Sequence, residues 1–144
     1  MRLIAYSRLH QFIRKLFLYF DKLWLSLGWL LIALTVFLSL MPTPPQVMDF
    51  YQSDKLEHLF TYTILMLWFA QIYERHSYLC LGLSFIAMGV SLELLQGLSG
   101  FRTFEYSDIL ANTTGVLFGW LLAKTSMANC LIWIKTRVTH LMQN

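Results

Sequence analysis

An uncharged apolar run from Leu23 to Met41 constrains the fold of this chain more than any other sequence feature. As an α-helix this run would extend about 28 Å, which is close to the thickness of the hydrocarbon core of a bilayer. A proline-rich segment, residues 42–45, follows the run without a small-residue cleavage site of the kind that ends a signal peptide. We therefore predict a first transmembrane helix here, and not a leader.

The composition supports a membrane-embedded chain. Only 13% of the 144 residues are charged and 57% are hydrophobic, whereas a soluble domain carries about 25% charged residues. The length predicts a single domain. The net charge of +3 does not point to nucleic acid, because the basic residues lie beside apolar segments and form no stripe. Cys80 and Cys130 lack metal-ligand spacing, so we expect two buried thiols and no disulfide. We also expect no metal and no cofactor, because the one candidate set for a hard cation, Asp54, His58, Glu93 and Asp108, fits no known ligand spacing.

The predicted fold class is all-α: a polytopic bundle of four transmembrane helices preceded by an amphipathic interfacial helix. Residues 1–22 alternate apolar and basic groups at helical spacing, which is typical of a helix on an anionic cytoplasmic leaflet. The alternative for this segment is a basic tail that only sets orientation. The transmembrane domain comprises residues 23–124, with a cytoplasmic or interfacial tail at 125–144. Its four spans are predicted at residues 23–41, 56–73, 78–97 and 108–124.

The positions of lysine and arginine predict the orientation. Apart from Lys55 and Arg102, the 11 basic residues fall on one side of the predicted spans. The positive-inside rule then places both termini in the cytoplasm, in a bacterial inner membrane. Polar groups from three separate segments would consequently meet at the extracytoplasmic face: residues 54–58, 93–102 and 108–112.

The start of the second span carries a polar stripe. Asp54, His58 and Tyr62 recur at i, i+4 and i+8, so they share one helix face. Asp54 and Tyr62 are candidate ligand-binding residues, and Asp54 also suits a helix N-cap. His58 is a candidate proton carrier or ligand, or a neutral histidine that satisfies one buried hydrogen bond. Lys55 suits a phosphate, or simply marks the membrane edge by snorkelling.

Glu93 is the most informative single residue. It lies about one turn inside the third span, where a carboxylate costs roughly 2.5–3.5 kcal/mol on translocon scales. It therefore needs a partner, such as Arg102 or His58, or a proton of its own. We assign candidate catalytic roles to Glu93, His58 and Asp108, with a structural ion pair as the alternative for Glu93. Gln96, on the same face, suits ligand contact or interhelical hydrogen bonding.

The third polar segment spans a loop and the start of the fourth helix. Arg102 lies in a glycine- and aromatic-rich loop, where an arginine can bind a phosphate or carboxylate bidentately, or close the loop through a salt bridge. Asn112 lies one turn deeper than Asp108 and is a further ligand-binding candidate. Gly115 and Gly119 form a GxxxG motif, which predicts close helix packing.

These motifs together resemble the VanZ-like membrane proteins. The resemblance covers about residues 54–119 and rests on the order and spacing of four pieces, which are Asp54-Lys55-x-x-His58-x-x-x-Tyr62, Glu93-x-x-Gln96, Arg102-Thr-Phe and Asp108-x-x-x-Asn112-x-x-Gly115. It implies a small polytopic bacterial membrane protein, in a family whose founding member is associated with low-level teicoplanin resistance. The proline that the family often carries just before its arginine is absent here.

Two functions remain open at this stage. In the first, the polar residues form a site, catalytic or not, for the head group of an envelope lipid or a lipid-linked cell-wall precursor. In the second, the protein is a non-catalytic helper that docks on another envelope protein, with the polar residues acting as interhelical glue. Membrane lipids are expected partners in both. A proton-coupled carrier is disfavoured, because the cytoplasmic halves of the spans lack polar residues that would complete a path.

Overall fold

A computed structural model describes the backbone of residues 2–43, 53–100, 102–125, 133–134 and 136–138, and the side chains of these from residue 17 onwards. The part of the chain described in this way is helical and contains no strand, which confirms the all-α prediction. The α-helices are α1 (Arg2–Leu40), α2 (Ser53–Ala70), α3 (Tyr78–Leu98) and α4 (Tyr106–Ala123). A short 3₁₀ helix, Arg75–Ser77, leads into α3.

The first helix is continuous over 39 residues. The boundary predicted near residue 22, between an interfacial helix and the first span, is therefore not a break in the helix. The side chains of residues 2–16 lie outside the described part, so the amphipathic character of residues 1–22 stays a prediction. Most of the predicted tail at 125–144 also lies outside it.

Successive helices run antiparallel, and side-chain contacts fix both ends of the bundle. At one end Gln96 Nε2 donates a hydrogen bond to the Ser39 carbonyl, 2.7 Å away, and joins the end of α3 to the end of α1. At the other end Trp68 Nε1 donates to the Trp24 carbonyl at 2.9 Å. We call the first of these the polar end: it contains the ends of α1 and α3 and the starts of α2 and α4.

The closest helix pair is α2 with α4, and two glycines make that approach possible. A Cβ atom added at Gly115 would overlap the carbonyl oxygen of Leu59, and one added at Gly119 would lie 2.7 Å from the carbonyl oxygen of Thr63. The Thr63 hydroxyl donates to the Leu59 carbonyl at 2.7 Å and to the Gly115 carbonyl at 3.1 Å. The GxxxG motif thus brings two backbones together and fixes the starts of α2 and α4 side by side.

Two stretches of the described chain are long and apolar enough to cross a membrane: Phe17–Leu40 and Arg75–Leu98. Only 6% of the first stretch is buried within the protein, so it is not the core helix of a soluble domain. Its large side chains, including Trp29, Leu30 and Phe37, form an extended exposed apolar surface, which is typical of contact with lipid. The two helices α2 and α4 fall outside this pair, and their membrane crossing is taken up below.

One expectation about the cysteines is wrong in the described part of the chain. Cys80 is exposed on the surface of α3, because it lies on the helix face opposite the buried Gly82 and Phe85. Cys130 lies outside the described residues.

Candidate functional site

The polar end is centred on the ammonium group of Lys55. Its Nζ atom lies 2.7 Å from Asp54 Oδ2, 2.6 Å from Glu105 Oε2 and 2.6 Å from Asp108 Oδ1. The first two contacts are hydrogen bonds. The third is an ion pair without aligned hydrogen-bond geometry, since Asp108 Oδ1 has no hydrogen-bond partner. We call Asp54, Glu105 and Asp108 the carboxylate cradle.

The cradle has the spacing of a cation site. Each of its residues offers one oxygen atom within 4.8 Å of the other two, and hard cations bind carboxylate oxygens at about 2.3–2.6 Å. The Lys55 ammonium lies among these oxygens at similar distances and supplies positive charge there. Three carboxylates nevertheless surround one ammonium, so the cradle and Lys55 together carry a net negative charge.

His58 connects the cradle to Asn112. Its Nε2 atom lies 3.6 Å from Asp108 Oδ2, and its Nδ1 atom lies 3.1 Å from Asn112 Oδ1. His58 and Asn112 are mostly buried, and α4 presents Asp108 and Asn112 one turn apart on the same face. The predicted polar stripe of α2 therefore contacts the predicted polar face of α4.

Behind this layer lies an inner pair, the Tyr62 hydroxyl and the Glu93 carboxylate. Both residues are only 1% exposed, and the Tyr62 hydroxyl reaches α3 beside Gly89, one turn before Glu93. Neither the Tyr62 hydroxyl nor Glu93 Oε2 has a hydrogen-bond partner among the described residues. Buried polar atoms are normally paired, so these two unpaired atoms require an explanation.

A glycine on α3 makes room for the Tyr62 hydroxyl and the Asn112 amide. A Cβ atom at Gly89 would lie 3.1 Å from the Tyr62 hydroxyl oxygen and 3.1 Å from Asn112 Nδ2. Those two polar groups therefore converge on the surface of α3 one turn before Glu93. The sequence analysis missed Gly89, although a glycine four residues before a buried glutamate shares its helix face.

Glu93 is joined to the cradle through the loop before α4. Its Oε1 atom accepts a hydrogen bond from the backbone nitrogen of Glu105 at 2.7 Å. Because the side chain of Glu105 binds Lys55, one residue connects the inner pair to the cradle. No ion pair joins Glu93 to Arg102 within the described ranges, so a structural bridge between them is not what holds Glu93 in place.

Glu105 joins this cluster although its sequence context did not lead to its selection as a candidate. It is exposed and lies immediately before α4, and its carboxylate accepts hydrogen bonds from Lys55 and from the Ser107 hydroxyl. The hydrogen bond from Lys55 holds the pKa of Glu105 below its ordinary value of 4.5. Its position could have indicated this role: carboxylates are favoured at a helix N-terminus, and Glu105 lies three residues before Asp108 at the start of the predicted fourth helix.

The structure does not bring two of the predicted ligand-binding residues into this cluster. Gln96 is buried, but its amide nitrogen binds the Ser39 carbonyl of α1. Arg102 lies in the α3–α4 loop, and no ion pair connects it to Glu105 or Asp108 in the part of the chain that the structure describes. Gly100, two residues earlier, has a φ of 74°, a conformation that favours glycine. The ligand-binding roles of Gln96 and Arg102 stay predictions.

The described geometry thus unites seven of the predicted residues with Glu105. They come from three helices and meet at one end of the bundle: Asp54, Lys55, His58, Tyr62, Glu93, Asp108 and Asn112. The comparison with known families agrees with the motifs from which these residues were selected. The VanZ/LLP1 family model matches residues 4–129.

This chain belongs to the VanZ/LLP1 family. The match covers all four helices and the loops between them, well beyond the motif region at 54–119. No curated protein and no solved structure matches the chain. Family membership and the exposed apolar helices identify a membrane protein.

Proposed function

We propose that the polar end of this VanZ-family protein is a binding site for the head group of a cell-envelope lipid or a lipid-linked cell-wall precursor. The observation that carries the proposal is the inner pair: Tyr62 and Glu93 are buried, and among the described residues neither the Tyr62 hydroxyl nor Glu93 Oε2 has a hydrogen-bond partner. Groups that served only to join helices would be paired with one another. A polar head group would supply the missing partner.

The site lies at a helix end, which suits a lipid ligand. A head group at this depth would leave its acyl chains beside the apolar faces of α1 and α3, where Leu30 and Leu94 are exposed. Whether bound lipid reacts depends on His58 and Asp108, whose facing side chains offer a base and its carboxylate. The proposal does not require a reaction.

We further propose that all four helices cross the inner membrane, with both termini in the cytoplasm and the polar end outside. The 18-residue helices α2 and α4 are near the lower limit for a span, and their charged residues pair within the protein. Reporter fusions at Gln46 and Gly100 should be extracytoplasmic, and fusions at His76 and Asn144 cytoplasmic. Opposite reporter signals at any two of these positions would contradict this topology and the extracytoplasmic location of the polar end.

A lipid-resolved mass spectrum of the purified protein tests the main proposal. We expect a co-purified envelope lipid that survives mild detergent and that occupies one site per chain. The Ser91→Ala variant should retain the same lipid as wild type, because the exposed Ser91 hydroxyl donates its described hydrogen bond to the Ala87 carbonyl within α3. If wild type retains no lipid while unfolding cooperatively, the proposed function is wrong.

The alternative function is that of a non-catalytic helper for another envelope protein. The observation that favours it is the Gln96 bond to α1, since this polar residue joins two helices and offers its donor to the backbone. Co-purification of one stable protein partner without lipid would support this alternative.

A further inference from the structure

The charges of the polar end restrict the kind of head group that it can bind. Asp54, Glu105 and Asp108 surround a single lysine, and the Glu93 carboxylate lies behind them. A phosphate entering the cradle would approach several carboxylates and would find the Lys55 ammonium already paired with all three of them. Like charges brought together in a partly desolvated site repel strongly. The cradle therefore disfavours an anionic group.

Lys55 itself shows what the cradle accepts. Its ammonium lies 2.6–2.7 Å from one oxygen of each carboxylate, which is the length of a short charge-assisted hydrogen bond. A primary ammonium on a ligand has the same size, charge and three donors. It could compete with Lys55 for the same oxygens, and the displaced lysine would then be free for a nearby phosphate.

A second and independent observation points to a donor on the ligand. Glu93 Oε2 is buried without a hydrogen-bond partner among the described residues, while Glu93 Oε1 is bonded to the backbone of Glu105. The free oxygen therefore borders the loop that carries part of the cradle. An ionised carboxylate oxygen accepts hydrogen bonds, so the group that would complete it is a donor.

We propose that the ligand enters this site through a primary ammonium group, which competes with Lys55 for the carboxylate cradle. This inference rests on the proposed function, because it names the chemistry of the head group bound at the same site. The ammonium could come from an amine-bearing lipid or from a soluble amine, and the experiment separates these sources.

The experiment titrates delipidated full-length protein in neutral detergent with three probes: phosphatidylethanolamine, phosphatidylglycerol and free ethanolamine. Native mass spectrometry measures bound lipid, and the thermal unfolding midpoint reports on ethanolamine. We expect phosphatidylethanolamine to bind at least about tenfold more tightly than phosphatidylglycerol, the value of one charge-assisted hydrogen bond. Equal binding, or a preference for phosphatidylglycerol, would overturn the ammonium assignment while leaving a lipid-binding function intact.

Two variants test the competition with Lys55. Lys55→Met should bind ethanolamine more tightly than wild type, because the internal competitor is gone, whereas Lys124→Met at the opposite end should not. If Lys55→Met binds ethanolamine no better, the inference is wrong. Should that variant fail to fold, Glu105→Gln decides: this exposed loop residue should lose phosphatidylethanolamine affinity by about tenfold, and the exposed Glu74→Gln should lose none. Unchanged affinity in Glu105→Gln would contradict the proposal.

The three probes also distinguish a failure of the lipid-binding function from a failure of the ammonium assignment. Stabilisation by ethanolamine that depends on Glu105, with neither lipid bound, would support the ammonium site and refute the lipid function. Binding of both lipids without any response to ethanolamine or to Glu105→Gln would support the lipid function and refute the ammonium site.

Discussion

The two ends of the bundle are built from different chemistry. At the polar end, Glu93, Asp108 and Asn112 are each no more than 3% exposed. At the opposite end, the ion pair between His76 and Glu74 is on the surface, with side chains 77% and 85% exposed. That end is packed by aromatic rings instead, with Trp24 stacked on Trp68 at 4.2 Å.

The difference shows that buried charges, which lower the stability of the fold, are concentrated at the polar end. The aromatic end shows that these helices can be joined without burying a charge. Burying carboxylates inside a membrane protein costs several kcal/mol unless they find partners, and one carboxylate oxygen at the polar end has none among the described residues. This contrast supports the proposal that the polar end binds a ligand.

The largest expected effect concerns the backbone contact that positions the polar end. Gly115→Ala should destabilise the protein by about 3 kcal/mol, at the upper end of overpacking effects, because its Cβ would meet the Leu59 carbonyl and not a flexible side chain. The matched control is Gly82→Ala, towards the other end, where a Cβ would make ordinary contacts with Val116 at 3.6 Å. Thermal unfolding in detergent measures both. Equal stability of the two variants would show that the close approach of α2 and α4 is not essential.

A smaller effect is expected when one charge, buried at the polar end and exposed at the other, is removed from each end. Asp108→Asn should cost about 2 kcal/mol, less than for a fully isolated buried pair because Lys55 keeps two other carboxylates. Glu74→Gln should change stability by no measurable amount, since its ion pair is exposed. Thermal unfolding in detergent measures both variants. A larger loss of stability in Glu74→Gln than in Asp108→Asn would contradict this comparison of the two ends.

Which residues lie together at the polar end could be predicted from the sequence better than the contacts that they make. Helical spacing placed Asp54, His58 and Tyr62 on one face of α2, and membrane cost marked Glu93 as needing a partner. The first argument depends only on helical periodicity and the second only on the cost of a charge in the bilayer, so neither needs the tertiary structure.

The partners of these residues could not be predicted in the same way. Arg102 and His58 were the predicted partners of Glu93, but the hydrogen bond that the structure shows comes from the backbone nitrogen of Glu105. That bond depends on how the α3–α4 loop folds back, where Gly97 lets Phe104 lie against α3. The three-carboxylate environment of Lys55 likewise depends on the registry of α2 and α4, which no local pattern determines.

The most direct test of the central claim, that the polar end is a site and not glue, is the Glu93→Gln variant. The amide keeps the oxygen that accepts from Glu105 and removes the charge, so we expect stability within about 1 kcal/mol of wild type. We expect the co-purified lipid to be lost in the same preparation. A Glu93→Gln protein that retains its lipid, or that unfolds much more easily than wild type, would contradict the account.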